Sequence, residues 1–216
     1  MKKKVGILGS GMVGKVLATG FLAKGYEVMV GTRSAEKLAE WKEQNPQGQV
    51  GSFSETASFG EILVLAVKGN VAESVLELAG KEHLGGKLVL DATNPIDDSR
   101  GPDGGVLHFF TTLENSLMER LQNKVPEAKF VKAWSSVGSA FMVDPDFDGD
   151  TPTMFIAGND AEAKTEATAI LAEMGWEAED MGDAKGARAI EPLCILWCIP
   201  GFQRNQWNHA FKLLKK

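Results

Sequence analysis

Residues 5–16 read Val5-Gly6-Ile7-Leu8-Gly9-Ser10-Gly11-Met12-Val13-Gly14-Lys15-Val16. An apolar run, Val5–Leu8, ends in the pattern Gly-x-Gly-x-x-Gly, and a segment of helical period follows from Met12 to Lys24. A strand that turns tightly into a helix through three such glycines leaves the first N–H groups of the helix free, and those groups bind pyrophosphate. Gly9 permits the turn, Gly11 lets the backbone approach a phosphate, and Gly14 allows close packing of helix on strand. Gly9, Ser10, Gly11, Met12 and Val13 are therefore candidate dinucleotide ligands.

Beyond this unit, short apolar runs keep alternating with segments of helical period. Strands are expected at Glu27–Gly31, Gln49–Ser52, Ile62–Val67, Lys87–Asp91 and Phe130–Ala133, then at Thr153–Ala157 and Glu177–Met181. Helices are expected at Ala35–Glu43 with Ser34 as cap, Val71–Ala79, Leu113–Gln122 and Ala161–Met174. Asn94–Gly105 and Ser135–Pro152 read as loops, the second of them near the site. The tail from Lys185 to Lys216 reads as helical, broken at Pro192 and at Pro200-Gly201. Such alternation predicts an α/β fold: a Rossmann-type, doubly wound, mainly parallel sheet with a small carboxyl-terminal helical extension. The expected division is a dinucleotide-binding domain over 1–138 and a small substrate or dimerisation part over 139–216. With no linker between them, one continuous domain is the alternative.

The end of the second strand separates two cofactors. An NAD site places Asp or Glu there for the ribose 2′-hydroxyl. This chain has Gly31-Thr32-Arg33-Ser34 instead. A guanidinium and two hydroxyls suit a 2′-phosphate, so Thr32, Arg33 and Ser34 point to NADP. Two later strand ends fall where ligands collect in an open sheet. Ala66, Val67 and Lys68 are expected beside the nicotinamide ribose, and Asn94 and Pro95 on the nicotinamide side. For Lys68 a solvated loop, and for Asn94 simple turn chemistry, are the blander alternatives.

Composition narrows the class of partner. The net charge is −6, from 23 basic and 29 acidic residues, which argues against nucleic acid as a partner. The two cysteines, Cys194 and Cys198, stand four apart in an apolar run and read as buried helix residues rather than a disulfide. No run approaches the ~20 apolar residues of a membrane span, and Lys15 interrupts any export signal. The expected location is the cytoplasm, with no membrane partner. His83, His108 and His209 show no catalytic spacing, and no acid–base residue or metal ligand is assigned. Lys185 and Arg188 read as a solvated helix start that could alternatively reach a substrate anion.

Taken together, these residues resemble the NADP-dependent coenzyme F-420 reductase family. The similar motifs are Gly9–Gly14, Gly31-Thr32-Arg33-Ser34, Ala66-Val67, Asp91-Ala92-Thr93-Asn94-Pro95, Lys132-Ala133-Trp134 and Ala187-Arg188-Ala189-Ile190-Glu191-Pro192-Leu193. The resemblance implies a 2′-phosphate held by Thr32, Arg33 and Ser34, and a deazaflavin site between the Rossmann domain and the carboxyl-terminal part. Where that family commonly reads Lys-Ala-Phe-Asn-Thr, this chain has Lys132-Ala133-Trp134-Ser135-Ser136. Ala133 is accordingly expected at the cofactor, and Trp134, Ser135 and Ser136 at the second substrate. A related arrangement serves as the NADPH domain of some membrane metalloreductases. The expected function is hydride transfer between NADP(H) and a small-molecule redox partner, a deazaflavin (coenzyme F-420) or a flavin-like acceptor. The alternatives are an NADPH-dependent reductase of a small carbonyl or imine and a non-catalytic NADP-binding module. The apolar stretch Pro192–Phe202 with Trp197 is the expected face of a homodimer, or else part of the core.

Overall fold

A computed structural model describes residues 2–216 of the chain. Val5–Leu8 is fully buried within β1 (Lys4–Leu8), as a strand covered by helices on both faces requires. The glycine loop opens α1 (Met12–Ala23), and the chain returns as β2 (Glu27–Gly31). A 3₁₀ turn at Ala35–Leu38 precedes α2 (Ala39–Gln44) and the short β3 (Gln49–Gly51). There follow α3 (Phe53–Phe59), β4 (Ile62–Leu65), α4 (Gly69–Ala79) and β5 (Leu88–Asp91). After the long loop come α5 (Leu117–Lys124) and β6 (Lys129–Lys132). The remainder forms β7 (Thr153–Gly158), α6 (Ala161–Glu173), β8 (Glu177–Asp180), α7 (Ala187–Ile190) and α8 (Pro192–Arg204).

The strands make one sheet in the order β3-β2-β1-β4-β5-β6-β7-β8. From β3 to β6 every pairing is parallel, whereas β7 runs antiparallel to β6 and carries β8 parallel to itself. Between β1 and β4 the direction of strand addition reverses, which is the switch point where open α/β sheets bind ligands. The expected α/β doubly wound fold is the fold observed.

Alternation along each strand feeds two apolar layers. Val5, Ile7, Val28, Val30, Ile62 and Val64 face one side, where Leu17 and Phe21 of α1 and Ile170 and Leu171 of α6 cover them. Leu8, Leu63, Leu65, Val89 and Phe130 face the other, under Leu76 of α4 and Leu121 of α5. Each Leu or Ile buried this completely contributes about 1.5–3 kcal/mol. Met154 and Ile156 of β7 join the first layer, so strands beyond residue 139 extend the sheet and share its core.

Several local readings change. Residues 53–59, where no element is expected, form α3, nucleated by a capping box in which Ser52 and Glu55 satisfy each other's backbone N–H groups. A second such box, Ser116 with Glu119, starts α5 at Leu117 rather than Leu113. Pro200 lies inside α8 instead of ending it, because the buried Cys194, Trp197 and Gly201 hold the helix by packing. Beyond Arg204 the tail is not helical; it runs back along the sheet, where Thr153 N–H donates to Phe211 O at 2.8 Å. Cys194 and Cys198 both lie in α8 as free thiols; Cys194 is buried as expected, whereas Cys198 is only partly buried. Among the described residues no helix is long and apolar enough to cross a membrane.

Arg188 of α7 clamps Glu119 in the first turn of α5, donating from Nη2 at 2.7 Å and from Nε at 2.9 Å. Those bonds hold the Glu119 carboxyl down to about 2, from an ordinary value of 4.5. A carboxyl whose pKa is depressed on folding contributes stability that is complete above its unfolded pKa and is lost as pH falls toward the folded one. For Glu119 that window runs from 4.5 down to about 2. Glu119→Gln should therefore flatten the decline of melting temperature between about pH 5 and about pH 3. An acid limb of unchanged slope would show that the clamp does not carry this dependence.

Candidate functional site

A cleft of about 670 Å³ lies along the carboxyl ends of β1, β2, β4 and β5. Its floor is the glycine loop. Gly9 adopts a φ of 138°, and a side chain there would place Cβ 2.2 Å from Ala66 O. At Gly14 a Cβ would stand 2.1 Å from Gly9 O, so the helix can lie this close to the loop only with glycine at that position. Gly11 has nothing within 4 Å of a built Cβ and leaves the cradle open. α1 starts immediately after it with no side-chain cap and no acidic residue in the first turn. Its free N–H groups and the positive end of its dipole thus meet the cleft, where Gly11, Met12 and Val13 form the lining.

The β2 end is polar and cationic. Thr32 Oγ1 accepts from Ser34 N at 3.1 Å and lies 3.0 Å from Ser10 Oγ, tying the strand-two loop to the glycine loop. Ser34 makes no side-chain cap to the following turn, contrary to its expected capping role, and lines the cleft instead. Arg33 and Lys37 both line this end, and neither is among the ion pairs of the described residues. The carboxylate among the lining residues, Asp98, stands by Lys68, with 3.1 Å between Oδ2 and Nζ. Two cations outside the ion pairs of the described residues, with no carboxylate lining that end, are what a 2′-phosphate needs and what a 2′-hydroxyl does not.

α4 supplies an apolar wall of Val71, Val75 and Leu78, with Ser74 on the same face. Leu78 is 54% exposed, bare apolar surface inside a cleft. The far end is walled by Ala66, Val67, Ala92, Asn94 and Ile96. There Asn94 Nδ2 donates to Ser135 O at 2.8 Å, while its Oδ1 is buried without a partner. Free helix N–H groups, unpaired cations, an apolar wall and an orphaned amide acceptor together fit a phosphorylated dinucleotide.

Of the residues singled out in the sequence, Gly9, Ser10, Gly11, Met12, Val13, Thr32, Arg33, Ser34, Ala66, Val67, Lys68 and Asn94 come together here. Five do not line the cleft. Pro95 is buried, and its carbonyl accepts from Phe110 N. Ala133 is buried beside Asp91, continuing the β5–β6 pairing. Trp134 takes a φ of 54°, and this left-handed turn swings its indole into the core. There Nε1 donates to Met142 O at 3.2 Å and the ring meets Phe21 edge-on at 6.5 Å. Ser135 and Ser136 are buried behind it. The second-substrate role expected for Trp134, Ser135 and Ser136 is therefore corrected: their side chains sit behind the wall. Lys37, Phe53, the α4 face, Ile96 and Asp98 were missed. Lys37 had a signal, four residues after Arg33; the α4 stripe reads like any buried helix face until the fold leaves it bare.

Comparison with known proteins agrees with this geometry. The family model "NADP oxidoreductase coenzyme F-420-dependent" matches residues 4–95. A solved structure from Arthrobacter sp. FB24, provisionally assigned as an F-420-dependent NADP reductase, is 32% identical. It superposes with a TM-score of 0.93 over 99% of this chain and 100% of that one. The chain belongs to the F-420-dependent NADP oxidoreductase family. It is thus an NADP-dependent oxidoreductase. Among family enzymes, the F-420-dependent NADP reductase of Methanocaldococcus jannaschii is 28% identical over 81% of this chain and 82% of its own. Metalloreductase STEAP3 of Rattus norvegicus is 31% identical over 91% of this chain, which spans only 38% of that protein. A reductive aminase from Aspergillus terreus, solved with NADPH, shares the fold at a TM-score of 0.68 and 20% identity.

Removing Arg33 separates the two nicotinamide cofactors. Arg33→Ala should weaken NADPH by about tenfold or more, the value of one charge-assisted contact, and leave NADH nearly unchanged. Lys37→Ala should act in the same direction more weakly. Calorimetric titration of both cofactors checks this, and equal losses would remove the 2′-phosphate from the β2 end.

Proposed function

We propose that this protein moves hydride between NADP(H) and a deazaflavin of the coenzyme F-420 type or a flavin-like acceptor. What chiefly supports the reading is the cleft, cationic and acid-free at the β2 end and walled by small and apolar side chains at the β5 end. The whole-length similarity to F-420-dependent NADP reductases points to the acceptor class.

NADP(H), when bound, supplies the hydride chemistry. The chain's own residues bind, orient and dry it. Arg33 and Lys37 hold the 2′-phosphate, with Thr32 and Ser34 supplying hydroxyls beside them. The α1 amino terminus and Gly11 take the pyrophosphate. Val67, Ala92 and Ile96 keep water from the reactive end, and Asn94 offers its unpartnered Oδ1 as an acceptor there. Direct transfer between two aligned rings asks little of a proton donor, so positioning carries most of the rate.

One observation favours a second reading. Lys68 lines the cleft, and reduction of a carbonyl or imine needs a donor such as lysine. Its contact with Asp98 keeps it engaged in this structure. For the quaternary state we propose a homodimer, supported by Leu196 and Phe202, which α8 leaves 55% and 46% exposed. A monomeric mass in sedimentation would exclude it.

The deciding assay follows NADPH oxidation with coenzyme F-420, FMN, FAD and a panel of carbonyls and imines. Turnover is expected with the deazaflavin and, more slowly, with flavins. Turnover confined to carbonyls or imines, lost in Lys68→Met, would establish the second reading. Tight NADPH binding with no turnover would make the chain a binding module.

A further inference from the structure

The mechanism above leaves one buried cation unused. Lys132, the last residue of β6, is completely inaccessible, as is Asp91 at the end of β5. Its ammonium lies 2.8 Å from Asp91 Oδ2 and 3.1 Å from Glu191 Oε1, and donates to Thr93 O at 2.8 Å. Glu191 joins α7 to α8, and its two oxygens also accept from Leu117 N and Met118 N, each at 3.0 Å. Burial pulls the Lys132 pKa down, but the two carboxylates outweigh it and leave the group above its ordinary value, so it stays charged.

What this cation grips is the back of the cleft. Thr93 is held twice more, by its N–H and its hydroxyl on Asp91 Oδ1 at 2.9 and 2.6 Å. The next residue is Asn94, whose side chain lines the cleft and whose carbonyl sits so near Gly69 that a Cβ there would stand 2.1 Å away. A displacement of Thr93 O therefore passes directly into Asn94 and into the start of α4. Bulk stabilisation does not need charge at such a place, since packed apolar side chains serve as well or better. A lysine between two carboxylates instead fixes one carbonyl in one direction.

We infer that Lys132 is a positioning residue for the nicotinamide-side wall: with Asp91 it sets the Thr93–Asn94 backbone, and through Glu191 it couples that wall to the carboxyl-terminal segment. The inference rests on the reading of the cleft as an NADP(H) site for hydride transfer. It requires that loss of Lys132 injure the nicotinamide end selectively and spare the 2′-phosphate end, which Arg33 and Lys37 line just after β2.

The test compares Lys132→Met with the charge-balanced triple variant Lys132→Met, Asp91→Asn, Glu191→Gln. The triple leaves no unpaired buried charge and guards against simple misfolding. Thermal unfolding first establishes which variants are folded. Each folded variant is titrated with NADPH and with adenosine 2′,5′-bisphosphate, which occupies only the adenine half of the cleft. The expected result is unchanged bisphosphate affinity, NADPH affinity lower by about tenfold, and turnover lower by about a hundredfold, the scale of a small misplacement of reacting groups. Lys132→Arg, keeping the charge, should recover part of the NADPH affinity.

Equal losses for both ligands, no loss for either, or failure of both variants to fold would overturn the inference and make Lys132 a residue of the fold alone. Failure of the functional reading looks different. In that case the wild-type protein itself would turn over no acceptor, while the NADPH and bisphosphate titrations would still report on Lys132.

Discussion

Burying an ammonium group in a protein interior is tolerable only with its charge matched, and the Lys132 cluster shows how the rest of the chain is arranged to match it. Asp91 comes from β5, Glu191 from the junction of α7 and α8, and Glu191 is in turn bonded by the first N–H groups of α5. Removing one partner from such a cluster costs about 3–5 kcal/mol, because the other charge is left buried and unpaired. Four segments separated by up to a hundred residues are thereby held to one point behind the cleft. Three of the motifs that carry the family resemblance, around Asp91, Lys132 and Glu191, meet there.

In front of that point, the cleft is built from strand ends. Their order is set by the two apolar layers, and the parallel register brings Leu8, Gly31, Leu65 and Asp91 to one edge of the sheet. Gly9, Thr32, Ala66 and Ala92, which follow β1, β2, β4 and β5 at this edge, all line the cleft. This is why the fold confines the chemistry to short loops, and why substitutions there alter ligands without altering the core. The β2 end was free to acquire cations because nothing structural depends on Arg33 or Lys37. The β5 end was not, because Thr93 is part of the ion cluster.

Trp134 marks the boundary between these two regimes. Its left-handed backbone is unfavourable for a bulky residue. The turn is offset by near-complete burial of the indole, only 1% exposed, and by the bond to Met142 O. The result is a wall whose cleft side is small and apolar and whose core side is aromatic. Ser135 contributes to it by its carbonyl, which orients Asn94, rather than by its hydroxyl.

Much of this was legible in the chain itself wherever the determining interactions are local. The glycine loop, the buried run of β4 and the Gly31–Ser34 turn each carry their geometry within a few residues, so the fold class, the cofactor class and most cleft residues follow from sequence, whereas the strand order comes from the structure. The capping box of α3 is also local, in Ser52 and Glu55, but Ser52 directly follows the short β3 and reads equally as its end. Other features have no local signature. The family resemblance places Trp134 at the second substrate, and only the φ reversal after β6, with Met142 O as acceptor, turns it inward. Nothing near Lys132 in sequence reveals that its charge is met by residues 41 positions before it and 59 after it. Sequence determined which groups are present and how each strand and helix forms, because those depend on neighbours along the chain; tertiary structure alone decided which groups face the cofactor and which are buried behind it, because that depends on neighbours across the sheet.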